Sequence, residues 1–202
     1  MDEALIIFTK NPIHGRVKTR LAATIGNDKA LAVYHQLLSY TRTITDKLPF
    51  KKFVFYSDWI ETGDNWNNSI YIKKSQQGPG LGEKIINAFS EVFYNGYSKV
   101  VIIGTDCPGL TSAILSQAFD YLQHYDVVLG PATDGGYYLL GMNKLYPGLL
   151  QEISWSTDRV LAQTLQACKK ARLSYVLLET LSDIDTEDDL IAIKLLNTWI
   201  DD

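Results

Sequence analysis

The sequence predicts an α/β protein in which a central, mostly parallel sheet is covered by helices on both faces. Short apolar runs alternate with amphipathic helical segments along the whole chain, which is typical of such sheets. The run Val100–Ile103 is continuous and β-branched, as expected of a parallel strand buried on both faces. No linker or repeat interrupts the pattern, so residues 1–202 are predicted to form one three-layer α/β/α domain.

Each element is predicted from the period of its apolar residues and from the breakers that flank it. Asn27 or Asp28 is the expected N-cap of the first helix, Ser156 or Thr157 of the fourth, and Thr186 of the last, with Asp189 as its capping-box partner. Strands are predicted at 4–8, 53–56, 70–72, 100–103, 127–129, 137–140 and 175–178, and helices at 29–47, 81–94, 112–123, 159–171 and from Thr186 to about Ile200.

Composition excludes several classes of protein. The 202 residues carry a net charge of −4, which gives no overall electrostatic reason to bind nucleic acid or an anionic membrane. The acidic start and the lack of a long apolar run predict neither export nor membrane insertion. Two cysteines in unlike contexts suggest no disulfide framework, so a reducing cytoplasm is the expected location.

A basic loop follows the first predicted strand. Its position at the carboxyl end of a strand is where open α/β sheets bind ligands, and its cations suit phosphate groups. A solvated surface loop paired with nearby acids is the alternative. The residue order matches neither a Walker A loop nor a dinucleotide-binding fingerprint. The candidate phosphate-binding residues are Lys10, Gly15, Arg16, Lys18 and Arg20, with His14 beside them.

Carboxylates follow the most apolar strand and precede the last helix. Asp106 can reach a divalent cation from the rigid end of its strand, although it can also serve as a turn residue before a helix. Asp183 or Asp185 can supply a second carboxylate to the same ion. The helix dipole by itself also favours acids at this position, so both interpretations stay open.

A third polar segment, Asp134–Gly135–Gly136, follows the strand at 127–129. Paired glycines beside an acid indicate backbone lying close to a ligand, and the same residues are a strong hairpin signal. The segment can form a hairpin turn and lie close to a ligand at the same time. Cys107 has no histidine near it in the sequence and is expected to pack rather than to act as a nucleophile.

Several motifs together resemble those of a known bacterial family. They are Phe8–Pro12 with Gly15–Leu21, Gly104–Pro108, Gly78 with Leu81–Glu83, Gly130–Ala132 with Asp134–Tyr138, and Trp155–Thr157. In these motifs the chain resembles a glycosyltransferase-like family of the nucleotide-diphospho-sugar transferase superfamily. Lys18–Leu21 and Asp183–Thr186 are also similar to the 2-phospholactate guanylyltransferases.

The resemblance implies a GT-A-like fold with Mg²⁺ or Mn²⁺ as cofactor. It also implies that Asp106 and Asp185 are the metal carboxylates and that the first loop, with Lys18, binds the phosphates. The D-x-D spacing of many GT-A glycosyltransferases is absent at Thr105–Cys107.

The predicted function is metal-assisted transfer from a nucleotide donor to an unidentified small-molecule acceptor, with Asp106 and Lys18 as catalytic residues. Arg16, Lys18 and Arg20 exceed what a chelated diphosphate requires, so nucleotidyl transfer from a triphosphate is preferred. Glycosyl transfer from a nucleotide-diphospho-sugar is the alternative, and a nucleotide-binding module without turnover is the second. The sequence leaves the oligomeric state open.

Overall fold

The computed structural model describes residues 2–195 of the chain. The strands within this range form one seven-stranded sheet with the order β3-β2-β1-β4-β6-β5-β7. All neighbours pair in parallel except β6, which is antiparallel to both β4 and β5. The strands are β1 (Glu3–Thr9), β2 (Lys51–Tyr56), β3 (Tyr71–Ser75), β4 (Lys99–Ile103), β5 (Val127–Pro131), β6 (Tyr137–Met142) and β7 (Tyr175–Leu177).

Helices cover both faces of the sheet and complete the predicted three layers. One apolar cluster joins α2 and α4 to the first face, and another joins α3 and α5 to the second. A smaller cluster packs α1 and α6 against the outer side of α2. The helices are α1 (Thr19–Ile25), α2 (Asn27–Thr45), α3 (Leu81–Tyr94), α4 (Ser112–Tyr121), α5 (Val160–Lys170) and α6 (Glu187–Leu195), with a short 3₁₀ turn at Pro147–Leu149.

The core follows from the two-residue period of the strands. Leu5 and Ile7 of β1 lie in the first cluster, whereas Ala4 and Ile6 lie in the second. Successive side chains of a strand point to opposite faces, so a continuous apolar run is buried on both. The run in β4 alternates between the two faces in the same way. Because β4 pairs with β1 in parallel, the polar residues that follow the two strands lie side by side at one edge of the sheet.

Two predictions of helix caps are wrong. Asn27 and Asp28 lie within α2, and Gly26, at φ 86°, occupies the N-cap position. α5 begins after Ser156 and Thr157 because Ser156 takes a left-handed φ of 61°, and Thr157 Oγ1 instead accepts a hydrogen bond from the amide of Arg159.

At the last helix the structure agrees with the predicted capping box. Thr186 Oγ1 accepts from the amide of Asp189 at 3.3 Å, and Asp189 Oδ2 accepts from the amide of Thr186 at 2.7 Å. The helix α1 was not predicted, because the arginine, lysine and threonine residues at its start were interpreted as part of the basic loop. The predicted end of the last helix near Ile200 lies outside the described residues. Across residues 2–195, no helix is both long and apolar enough to cross a membrane.

Candidate functional site

The candidate site lies at the carboxyl ends of β1 and β4, where the basic loop meets the acidic segments. Asn11 anchors the loop from a buried position: its Nδ2 donates to the carbonyl of Trp59 at 3.0 Å, and its Oδ1 accepts from the amide of Asp58 at 3.2 Å. The hydroxyl of Tyr34 bonds both the amide and the carbonyl of Lys10. The loop is therefore fixed to the segment that follows β2 and to α2.

Lys18 is the charged side chain at the centre of the site. Its ammonium lies 2.8 Å from Asp106 Oδ1 and 3.2 Å from Asp185 Oδ1, and its side chain is only 4% exposed. The two carboxylates are 42% and 45% exposed, so they face the solvent side of the ammonium. Arg20 extends from the surface and reaches Asp185 Oδ2 at 3.5 Å.

The backbone at Lys18 explains how this side chain points inward. Lys18 takes a left-handed conformation at φ 48° directly before α1, a position that costs a non-glycine residue about 1 kcal/mol. Burial by itself lowers the pKa of the Lys18 ammonium. The charges and hydrogen bonds of Asp106 and then Asp185 outweigh burial, so the pKa is raised and the side chain stays protonated.

A backbone contact brings the two acidic segments together, although Asp106 and Asp185 are far apart in the chain, with α4 to β7 between them. The segment after β7 runs beside the end of β5, where Ala132 and Leu181 form a parallel bridge. The amide of Ile184 then donates to the carbonyl of Asp106 at 3.0 Å. This bond holds the segment that contains Asp183 and Asp185 next to Asp106.

Asp183 is the most perturbed acid of the site. Burial raises its pKa to about 7, and the nearby charge of Asp106 adds to the effect. Its Oδ1 is buried and has no hydrogen-bond partner within residues 2–195. An unpaired, buried carboxyl oxygen is costly, so Asp183 is held at this position by the fold around it.

Two cavities meet at these aspartates. The first, of about 530 Å³, lies between the loop after β1 and the start of α3. Its described lining carries the cations Lys10, Lys18, Arg20 and Lys84 together with Asp106, Asp183 and Asp185. This cavity is therefore suited to a polyanion.

The second cavity, of about 740 Å³, extends from the aspartates towards the turn between β5 and β6. Tyr137 and Trp155 form an edge-to-face pair in its wall, with ring centroids 6.4 Å apart. Ile85 and Leu140 add apolar surface, and Arg20 is the only cation in the part of its lining that the structure describes. Both cavities include Asp106, Asp183, Asp185 and Arg20.

The structure brings most of the predicted site residues to these cavities. Lys10 and Lys18 line the first cavity, Asp134 and Gly136 line the second, and Arg20, Asp106 and Asp185 line both. Gly15, Arg16 and Gly135 are absent from both linings as far as residues 2–195 are concerned. Arg16 is exposed on the outside of the loop, and Gly15 and Gly135 take left-handed turns at φ 73° and 87°.

The segment Asp134–Gly136 is both a turn and a wall of the second cavity. It joins antiparallel β5 and β6, and the amide of Gly136 donates to Asp134 Oδ1 at 2.8 Å. The hairpin signal is therefore confirmed. Cys107 is buried, and burial raises the pKa of its thiol, as expected of a packing residue.

Sequence reasoning missed several lining residues. Gln76, Pro79, Gly80 and Lys84 line the first cavity, and Asp158 lines the second. The turn Gly78–Gly80 before α3 was a usable signal, because it follows the end of β3 at the same edge of the sheet.

The chain has the fold of the nucleotide-diphospho-sugar transferases, and its relatives show that it is a transferase of that type. The chain belongs to the family DUF2064, described as an uncharacterized protein conserved in bacteria, whose pattern matches residues 42–157.

Individual relatives support the class over almost the whole chain. A solved structure assigned to the nucleotide-diphospho-sugar transferases, from Desulfovibrio desulfuricans G20, is 32% identical with a TM-score of 0.88, covering 97% of this chain and 87% of that one. The 2-phospho-L-lactate guanylyltransferase of Methanocaldococcus sp. (strain FS406-22) is 27% identical over 92% of this chain and 78% of that protein. Rv0371c of Mycobacterium tuberculosis H37Rv, solved with manganese, shares the fold, with a TM-score of 0.53 and 13% identity over 95% of this chain and 96% of that one.

Proposed function

We propose that this protein is a divalent-metal-dependent nucleotidyltransferase that joins a nucleoside monophosphate unit, taken from a triphosphate, to a phosphorylated small molecule. The observation that carries the proposal is the position of Lys18, buried between Asp106 and Asp185 where the two cavities meet. The similarity over 92% of the chain to a guanylyltransferase supports the same reaction class.

The charges of the two cavities differ, since the described lining of the first carries four cations and three aspartates and that of the second carries one cation and five aspartates. The first cavity offers four cations, which suits the triphosphate of the donor, because phosphate oxygens are neutralised by ammonium and guanidinium groups. The second has aromatic and apolar walls, which suit the body of an acceptor. The acceptor phosphate then lies at the junction, within reach of Arg20.

The donor set fits a magnesium or manganese ion that is shared with the substrate. Among the residues that the structure describes, no group of three His, Cys, Asp or Glu side chains is arranged to hold a metal by itself. Asp106 and Asp185 nevertheless offer two half-exposed carboxylates, which both contact the ammonium of Lys18. Mg²⁺ is commonly held by one or two carboxylates plus phosphate oxygens, so this pair is sufficient once the nucleotide is present. When bound, the ion supplies charge neutralisation at the phosphates.

The reaction is a substitution at the α-phosphorus of the donor. An oxygen of the acceptor phosphate forms the new bond to the α-phosphorus, and the bond to the leaving pyrophosphate breaks. Lys18 and Arg20 neutralise the charge that develops on the transferred and leaving groups, and Lys10 and Lys84 hold the outer phosphates. The loop after β1 positions Lys10 and Lys18 before the substrate enters, because Asn11 and Tyr34 fix its backbone.

The test is incubation with single nucleoside triphosphates, Mg²⁺ and a set of phosphorylated acceptors. The expected result is release of pyrophosphate that depends on both the acceptor and the metal. Asp106→Asn should abolish the release of pyrophosphate while the protein keeps its circular dichroism spectrum.

Glycosyl transfer is the second candidate, favoured by the 32% identical relative assigned to the nucleotide-diphospho-sugar transferases. Consumption of a nucleotide sugar to free nucleoside diphosphate, with no pyrophosphate from any triphosphate, would replace the proposal with that reaction.

A further inference from the structure

The cation-binding position between Asp106 and Asp185 is already occupied by a side chain of the protein. The ammonium of Lys18 contacts both carboxylates, at 2.8 Å and 3.2 Å. Its side chain is 4% exposed, whereas 42% and 45% of the two aspartate side chains face the cavities. A divalent ion that used both carboxylates would therefore meet a positive charge that is held against the same pair.

The fold keeps Lys18 in this position. Val17 is buried directly before it, α1 begins directly after it, and the hydrogen bond from the amide of Ile184 to the carbonyl of Asp106 fixes the two acidic segments together. A buried ammonium is stable only beside anions, since burial without them is strongly unfavourable. Lys18 can consequently leave one anionic partner only when another is available within its reach.

We infer that Lys18 and the divalent ion compete for the Asp106–Asp185 pair, and that the triphosphate relieves the competition by giving Lys18 a new anionic partner. The inference rests on the proposed function, which assigns the ion to this carboxylate pair. Asp106 and Asp185 supply two negative charges against the three positive charges of an ammonium and a divalent ion, whereas the phosphates bring further negative charge. The ion therefore binds weakly alone and tightly together with the nucleotide.

The competition has a thermodynamic consequence. If the nucleotide strengthens the binding of the ion, the ion strengthens the binding of the nucleotide by the same factor. The protein would thus accept the metal–nucleotide complex and discriminate against the free ion. Lys18 in this account is a positioning residue for the ion as well as a phosphate-binding residue.

The test is the binding of Mn²⁺ alone, followed by the electron paramagnetic resonance signal of the free ion. Lys18→Met removes the charge and keeps the length of the side chain, and it should bind Mn²⁺ at least tenfold more tightly than the wild type. Lys18→Arg keeps the charge and should bind Mn²⁺ as weakly as the wild type. A non-hydrolysable triphosphate analogue should tighten Mn²⁺ binding at least tenfold in the wild type, and by less in Lys18→Met.

Arg20→Met is the matched control, because it removes one positive charge beside Asp185 from a side chain that is 72% exposed and 3.5 Å away. It should change the affinity for Mn²⁺ alone by less than threefold. The inference is overturned if Lys18→Met binds Mn²⁺ no more tightly than the wild type or no more tightly than Arg20→Met. Should Lys18→Met fail to fold, Lys18→Gln takes its place, and the wild-type measurement needs no variant: equal Mn²⁺ affinity with and without the analogue also overturns the inference.

The proposed function fails in a different way. It is wrong if no nucleoside triphosphate releases pyrophosphate with any phosphorylated acceptor, whereas the Mn²⁺ affinities decide only the competition.

Discussion

At the scale of single residues, Lys18 differs from the other cations of the basic loop in its burial and in its ion pairs, which the sequence does not reveal. The loop contains several cations, yet Lys18 is buried, whereas Arg16 and Arg20 are exposed. The left-handed backbone at Lys18 turns its side chain inward, and the ion pairs with Asp106 and Asp185 offset the burial of its charge. Neighbouring cations of the same sequence motif therefore differ in burial and in their anionic partners.

The two arginines of this loop offer a direct comparison. Arg20 lines both cavities, whereas Arg16 is missing from their described linings. Arg20→Ala should weaken triphosphate binding about tenfold, since one charged contact to phosphate is worth ~1.5 kcal/mol. Arg16→Ala should weaken it less than twofold. Isothermal titration of both variants with a non-hydrolysable triphosphate and Mg²⁺ measures the difference, and equal losses would show that the loop acts only through its overall charge.

Asp183 should make stability depend on pH. Its pKa is raised from 3.8 to about 7, so between these values the folded protein holds a proton that the unfolded chain has released. The folded state is then favoured at the acidic end of this window, and its stability falls as the pH rises from about 4 to 7. Asp183→Asn cannot ionise and should lose this part of the pH dependence, which amounts to about 2 to 4 kcal/mol at 1.36 kcal/mol per pKa unit.

Urea denaturation with a chelator present, at pH 4.5 and at pH 7.5, gives the two free energies of unfolding for each protein. The wild type should lose more stability than Asp183→Asn between these values. Parallel pH profiles for the two proteins would contradict the raised pKa of Asp183.

At the scale of elements, the turn between β5 and β6 is the best example of a sequence signal with two meanings. Asp134 closes the turn through the amide of Gly136, and the same segment forms a wall of the second cavity. Gly135 lies between them at φ 87°, packed against the backbone of Asp158. The turn thus fixes the segment that precedes α5 as well as the reversal of the chain.

Two glycines of nearly equal φ separate backbone strain from crowding. A Cβ at Gly135 would overlap the carbonyl of Asp158, whereas one at Gly96, φ 91°, would meet no described atom within 4 Å. Gly96→Ala should lower the free energy of unfolding by ~1 kcal/mol, because only the left-handed conformation disfavours alanine there. Gly135→Ala should lower the free energy of unfolding by ~3 kcal/mol or more, because the backbone at Asp158 must also move. Denaturant titration measures both, and a similar loss in the two variants would rule out the crowding at Gly135.

At the scale of the whole molecule, the site depends on the order of the strands. β1 and β4 are neighbours in the sheet although three helices and two strands, α1 to α3 with β2 and β3, lie between them in the chain. β6 enters antiparallel between β4 and β5, which places the turn at Asp134 on the same edge as Asp106. Two cavities with different walls consequently share one group of aspartates.

The two cavities should respond separately to substitution. Gln76 lines the first cavity, where its Nε2 donates to the carbonyls of Thr9 and Phe55, and Trp155 lines the second. Gln76→Ala should raise the KM for the nucleotide several-fold and leave that for the acceptor unchanged, and Trp155→Ala should do the reverse. Steady-state kinetics with the acceptor found in the pyrophosphate assay measures both constants. A Trp155 variant that changes only the nucleotide constant would contradict the assignment of the second cavity to the acceptor.

The sequence by itself determined the fold class and the segments that carry the chemistry. Strand and helix periods, with breakers such as Gly104–Pro108, are local signals, and the rule that ligands bind at strand ends needs only the strand positions. This rule makes the basic loop and Asp106 candidates, whereas Asp183 or Asp185 is a candidate from its place before the last helix, and the resemblance favours Asp185.

Tertiary structure decided which of these candidates meet. Lys18 is buried and Arg16 is exposed, and backbone contacts, among them the hydrogen bond from Ile184 to Asp106, bring Asp183 and Asp185 to the strand end. The second cavity likewise exists because β6 runs antiparallel and α5 starts late. These features arise from contacts between residues far apart in the chain, which no local period records, and they set the charge and depth of the site.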